Sequence, residues 1–302
     1  MEQEGSGFVF HTPQGERELT IQEVSELAAK DDPDGLYAMA MAYLFGWDTE
    51  EDSEKGYYYL EKAVAAGQTD AMALMVKLFM QGEYDGIDSE RAAKLAIKAA
   101  KDGIPDAQAF AGLAYMDGIS VERDYTEAAR YFRLASNQGN SDAKTNLAYL
   151  YQHGLGVDKD EAKAFLLYRA AAKADNLNAM FQLGVCYEFG IGTAQNTEKA
   201  AEWYRKGSEG GDAFAMERLG YLYSVGFGGI GPNAEMAFEW FLKAAMEGAV
   251  SAMSTVGHCY LNGAGIGKSD EEAAKWLKMA AENGDSEAEK TLRTLGASAK
   301  DD

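Results

Sequence analysis

Side chains suited to acid–base or metal chemistry are sparse in this chain. The three histidines, His11, His153 and His258, are scattered, with no spacing that would gather them around a metal ion. No metal and no cofactor is therefore expected. The glycines do not form a phosphate-cradling loop of the Walker type; even the suggestive run Gly226-Phe227-Gly228-Gly229-Ile230-Gly231 reads as an interhelix loop with one extra residue. No Ser, Cys or Lys stands out as a nucleophile with a placed base. The chain is read as non-catalytic, although groups distant in sequence can converge.

What the residues do show is a repeat of 36. Blocks open at Asp31, Gly67, Gly103, Gly139, Asp175, Gly211, Gly248 and Gly284, with one extra residue in the block that opens at Gly211. Units this short cannot bury their apolar faces alone, so they must stack on their neighbours as a solenoid. Residues 31–283 make seven such units in one elongated, all-α domain of antiparallel helix pairs.

Because the chain carries its own alignment, recurring positions can be separated from variable ones. The fifth position is Ala71, Ala107, Ala143, Ala179, Ala215 and Ala252; the thirteenth is aromatic, from Tyr43 to Tyr260. Positions five, nine, twelve and thirteen share one face of a first helix, which ends at a glycine (Gly46, Gly82, Gly118, Gly154, Gly190, Gly226, Gly263) suited to the left-handed turn past a helix end. The second helix opens at a good N-cap: Asp52, Asp88, Asp124, Asp160, Asn196, Asn233 or Ser269. It carries a large residue (Tyr59, Leu95, Tyr131, Leu167, Trp203, Trp240, Trp276), then a small one a turn later (Ala63, Ala99, Ala135, Ala171, Gly207, Ala244, Ala280).

At the ends, Thr20-Ile21-Gln22-Glu23 reads as a capping box opening a capping helix over 20–30. Residues 284–302 read as a polar capping helix with a disordered tail from Gly296, and residues 1–19 as a partly disordered extension. Its apolar patch Phe8-Val9-Phe10 either docks on the first helices or forms a strand-like extension.

A formal net charge of −21 disfavours nucleic acid and anionic membranes as partners, since phosphates require clustered Lys and Arg. Basic proteins or peptides remain compatible. The first ten residues show no secretory signal and no spanning segment, which points to the cytoplasm, although a chain whose signal had been removed would read alike. Cys186 and Cys259 both fall at the twelfth position, two units apart; at roughly 10 Å per unit they would be about 20 Å apart, too far for a disulfide. Both read as small buried side chains.

The unit Gly-Asp-x-x-Ala-x-x-x-Leu-Gly-x-x-Tyr-x-x-Gly-x-Gly, followed by an Asp-capped helix, resembles the Sel-one-like repeat family, relatives of the tetratricopeptide repeats. The best match runs from Asp175 to Gly210 and carries Leu183, Gly184, Tyr187, Gly190, Gly192, Ala200, Trp203 and Tyr204. The resemblance spans Asp31 to about Leu295. It implies a right-handed superhelix of helix pairs and a role as adaptor or scaffold in protein complexes; the abundance of such repeats in bacteria suggests a bacterial source. Two departures are evident: the loops from Gly46 and from Gly82 lack the second glycine, so they are either specialised or drifted. The disulfide of each unit in secreted relatives, and the penicillin-type ligands credited to some of them, are not carried over.

Positions four, eight, eleven and fifteen of the first helix turn away from the core face. Their variety suggests a peptide groove lined by Phe110, Asn146, Tyr149, His153, Gln182, Phe189, Arg218, Tyr221 and His258. Position four also contributes an acidic rail of Asp34, Asp70, Asp106 and Asp142 that would favour helix N-termini and attract a basic segment. The expected function is a binding scaffold for a protein or peptide, its oligomeric state left open with a monomer slightly favoured. Self-association through apolar groove residues, or a hydrolase using the groove, are the alternatives.

Overall fold

The structure, a computed structural model, describes residues 8–12, 15–227 and 229–298, with side chains from 18 to 295 apart from 228. Two strands, β1 (Phe8–Thr12) and β2 (Gly15–Leu19), pair antiparallel with Phe8 opposite Leu19. The extension thus takes the strand-like form over these residues; the rest of it, and the side chain of His11, lie outside the described residues. Helix α1 (Ile21–Ala28) follows, opened by the expected capping box between Thr20 and Glu23.

Among the described residues, fifteen further α-helices alternate as first and second members of pairs. The first helices are α2 (Pro33–Phe45), α4 (Thr69–Met80), α6 (Pro105–Asp117), α8 (Ser141–His153), α10 (Leu177–Phe189), α12 (Ala213–Val225), α14 (Val250–Asn262) and α16 (Ser286–Ser298). The second helices are α3 (Ser53–Ala65), α5 (Ser89–Ala99), α7 (Tyr125–Asn137), α9 (Glu161–Ala172), α11 (Thr197–Glu209), α13 (Ala234–Met246) and α15 (Asp270–Glu282). The fold is an all-α solenoid of helix pairs. Helix α16 continues through Gly296 to Ser298, so the segment expected to be irregular from Gly296 begins as helix; residues 299–302 lie outside the described residues.

Every second helix starts where an oxygen is available to cap it. Asp52, Asp88, Asp124, Asp160, Asn196, Asn233 and Ser269 each accept from a backbone amide in the first turn of the helix they open. Each such cap contributes about 1 kcal/mol. The residue opening each block takes a left-handed conformation just after a helix, as Gly67, Gly103 and Gly139 do, and as Asp31 and Asp175 do without being glycine.

The chain divides into two compact units, 1–143 and 144–302. In the first, one apolar cluster runs from Leu19 to Tyr131. Met39, Met72 and Met75 fill it, and Tyr43 stacks on Tyr59 and Tyr115 on Tyr131 at 5.8 and 5.7 Å. In the second, other rings meet edge to face: Phe165 on Tyr187 and Phe238 on Tyr260. In both, the repeated small residues are sealed: Ala63, Ala99, Ala135, Ala171, Ala244 and Ala280 have no exposed surface. Their shortness lets helices approach closely, and a larger side chain there would force the backbones apart.

The two departing loops differ from each other. Asp48 adopts φ 53°, the left-handed conformation that Gly192 and Gly265 hold at the same place, so the loop from Gly46 has changed in sequence but not in turn geometry. The loop from Gly82 is rebuilt. Tyr84 packs on Tyr57 with ring centroids 4.6 Å apart and donates to Glu61, which also accepts from Arg91, while Tyr57 donates to the Glu83 carbonyl.

Candidate docking face

Helices α8, α10, α12 and α14 of the second unit carry most of the residues anticipated for binding. Their common face divides by position. The fourth and fifteenth positions are open to solvent: Asp142, Asn178, Phe214 and Ser251, then His153, Phe189, Val225 and Asn262. The eighth, Asn146, Gln182, Arg218 and Thr255, is half-buried because it points toward the neighbouring first helix. Successive first helices are joined by side-chain bonds: Thr145 donates to Asn176, the cap residue of α10, and Ser251 donates to Glu217 of α12.

The polar centre of this face was not anticipated. Glu188, near the end of α10, is only 5% exposed. It accepts 2.7 Å from the Tyr204 hydroxyl of α11 and forms a short ion pair with Arg218 of α12. Three helices from two repeats thus meet on one carboxylate. The geometry depends on Gly184: a β-carbon there would stand 2.5 Å from the Tyr204 ring, so only glycine lets that ring lie against α10 and reach Glu188. Burial, then the bond to Glu188, holds the Tyr204 hydroxyl far above its ordinary pKa, so it remains a donor. A buried carboxylate with two donors avoids the cost of an unpaired charge.

Above that pair the Arg218 guanidinium lies over two rings, 4.9 Å from the centroid of Tyr221 and 5.9 Å from that of Phe189. Phe214, one turn before Arg218, packs against Phe181 at 5.9 Å, and Phe181 in turn contacts Tyr204. Tyr149 and His153 form a separate ring pair on α8 at 4.4 Å.

Of the anticipated residues, the structure therefore gathers Phe189, Arg218 and Tyr221 into one cluster and Tyr149 with His153 into another. Asn146, Gln182 and His258 are half-buried on α8, α10 and α14, with His258 Nδ1 placed 2.8 Å from the Ser254 carbonyl. Phe110 is a correction: in the first unit it is 7% exposed, sealed edge-on against Phe79, because its eighth position faces the preceding first helix. The acidic rail is likewise not a row of free charges. Gln68 donates to Asp34 of the preceding repeat and to Asp70 of its own helix, and Asn140 donates to Asp106 of the preceding repeat, so cap residues bind three of its carboxylates, two of them from the following repeat; Asp142 is exposed.

Burial pushes the Cys186 thiol up to about 12, which makes it unreactive, and both cysteines are free thiols. Among the described residues, no group of three or more His, Cys, Asp or Glu is arranged to hold a metal ion, and no helix is long and apolar enough to cross a membrane. The geometry offers an aromatic surface over a neutralised ion pair, an arrangement suited to contact.

Comparison with known proteins is consistent with this build. The family model for the Sel1 repeat matches seven stretches, 33–68, 70–104, 105–140, 141–176, 177–212, 213–248 and 250–285. A protective antigen of uropathogenic Escherichia coli displaying an SLR fold is 27% identical with a TM-score of 0.69; the match covers 92% of this chain and 59% of the antigen, so the chain spans well under two thirds of that protein. A Sel1 repeat protein from Oxalobacter formigenes is 29% identical with a TM-score of 0.68, covering 87% of this chain and 100% of that one. An immunity protein from Pseudomonas aeruginosa, 18% identical with a TM-score of 0.52 over 72% of this chain and 82% of its own, shares the fold. No curated protein matches the chain.

Proposed function

Since the chain belongs to the Sel1 repeat family, we propose that it is a non-catalytic scaffold that docks a protein or peptide on the face shared by α8, α10, α12 and α14. Proteins built from these repeats generally act as protein-interaction scaffolds. The observation that carries the reading is the exposure of Tyr149, Phe189 and Tyr221 along that face, where large rings would otherwise be expected inside. Aromatic residues and arginine dominate the energetics of protein interfaces.

The partner belongs to the basic class, because a chain of net charge −21 attracts cationic segments at long range. Two free thiols suit a reducing compartment, and the cytoplasm is the compartment proposed. The test is capture from extract of the native cell by the wild-type chain and by a Tyr149→Ala/Phe189→Ala/Tyr221→Ala variant. Arg218 is left intact, since removing it would strand Glu188. Partners retained by the wild type and lost by a variant with unchanged helical circular dichroism support the reading; an identical set on both overturns it.

A further inference from the structure

Phe214, Arg218, Tyr221 and Val225 follow the spacing i, i+4, i+7, i+11, which places them in one stripe along α12. Phe214 is 62% exposed, Tyr221 46% and Val225 49%, and Phe189 at the end of α10 adds a ring that is 62% exposed. The matching stripes are largely polar: Asp142, Asn146, Tyr149 and His153 on α8, and Ser251, Thr255, His258 and Asn262 on α14. Three exposed apolar side chains of the face thus share α12, with Phe189 beside them on α10.

Resting on the docking role proposed above, we infer that this stripe, with Phe189, is the anchor point for a bulky apolar side chain of a partner segment whose flanks are Lys or Arg. Arg218 does not make the patch an anion site, because Glu188 already neutralises it and the Tyr204 hydroxyl secures Glu188. Its role is positional: the guanidinium stacks against Phe189 and Tyr221 and holds both rings where a ligand would meet them. Phe214 is steadied in the same way by Phe181. Rings ordered before binding lose little entropy on contact, which raises the affinity gained from each apolar group.

Charge selects the occupant. A second copy of this chain would bring a further net charge of −21 and be repelled, whereas a segment with basic flanks is attracted. The anchor then enters the ring patch, and the flanks are drawn by the net negative charge of the chain.

The test uses labelled synthetic peptides read by fluorescence anisotropy near physiological salt. One has a central Leu-Phe pair flanked by lysines, a second the same pair flanked by glutamates, a third the pair flanked by glutamines, and a fourth a Ser-Ser centre with lysine flanks. The lysine-flanked Leu-Phe peptide is expected to bind at least about tenfold more tightly than the others. It is also expected to weaken with added salt and to lose about tenfold on Phe189→Ser/Phe214→Ser/Tyr221→Ser. Equal binding of the Ser-Ser peptide, or indifference to the three substitutions, overturns the apolar anchor. Equal binding of glutamate- or glutamine-flanked peptides that still need the rings overturns the basic flanks and leaves the docking face standing. If no peptide distinguishes the ring variant, the anchor fails, and the capture experiment separately decides the scaffold reading.

Discussion

Gly192 lies against the backbone of Glu161, so close that a β-carbon on it would stand 2.0 Å from the Glu161 carbonyl oxygen. One repeat's loop thereby rests on the start of the preceding repeat's second helix. Gly265 bears the same relation to Ala234. The second glycine of the loop is thus required both by φ +67° and by the close approach of two backbones.

Gly192→Ala is expected to destabilise by about 2 kcal/mol or more, combining the left-handed cost with displacement of a backbone contact. Ser120 occupies the equivalent place with φ 63°, and Ser120→Gly is expected to stabilise by about 1 kcal/mol. Urea midpoints of the two variants, which must move in opposite directions, check both.

The Glu188 network should respond unevenly to its parts. Tyr204→Phe removes one bond to a charged acceptor and is expected to cost about 2 kcal/mol. Arg218→Met leaves Glu188 buried without its cation and is expected to cost about 3 kcal/mol, tempered by the guanidinium's partial access to water. Combining it with Glu188→Gln should recover part of that loss. A double-mutant cycle showing no coupling between Glu188 and Arg218 would contradict the arrangement.

Alkaline pH should weaken the fold in a predictable window. Burial, then the charge of Glu161, pushes Cys186 from 9.0 up to about 12, and burial, then the bond to Glu61, pushes Tyr84 from 10.0 up to about 12. Burial, then Asp70, does the same for Tyr37, and Tyr168 and Tyr204 are raised further. Raised pKa values mean that the unfolded chain ionises first. Stability is therefore full below pH 9 and falls as pH rises through the window between 9 and 12. Thermal midpoints measured across that range should decline, and Tyr204→Phe should shallow the decline.

The rebuilt loop from Gly82 is expected to depend on one hydroxyl. Tyr84→Phe keeps the ring contact with Tyr57 but loses the bond to Glu61, which retains Arg91. A cost of about 1 kcal/mol follows. Amide exchange should quicken around residues 82–88 while α4 and α5 stay protected.

The regular features of this chain are local, and local features are legible. Helix caps such as Asp52 and Asn196, the closely packed alanines from Ala63 to Ala280, and the glycine stops each act within a turn or a neighbouring helix, so recurrence every 36 residues exposes them. Relations that occur once were hidden. Position fourteen reads Leu44, Met80, Met116, Gln152, Glu188, Ser224 and Leu261, and the only trace of the ion pair there is an acid in an otherwise uncharged column, thirty residues before an arginine. Burial of Phe110, against the exposure of Tyr149 and Tyr221, follows from which side of each position faces the adjacent first helix.

The sequence by itself determined the repeat, its helix pairs and its sealed small residues, because those rest on backbone propensity and periodic burial. Tertiary structure alone decided that Arg218 is neutralised and stacked rather than free, that Asp34, Asp70 and Asp106 are tied to cap residues, and that Phe189 of α10 joins Phe214 and Tyr221 of α12 in one exposed patch. Side chains separated by thirty or more residues meet only after the helices have packed, and charge and exposure are settled by what each group meets there.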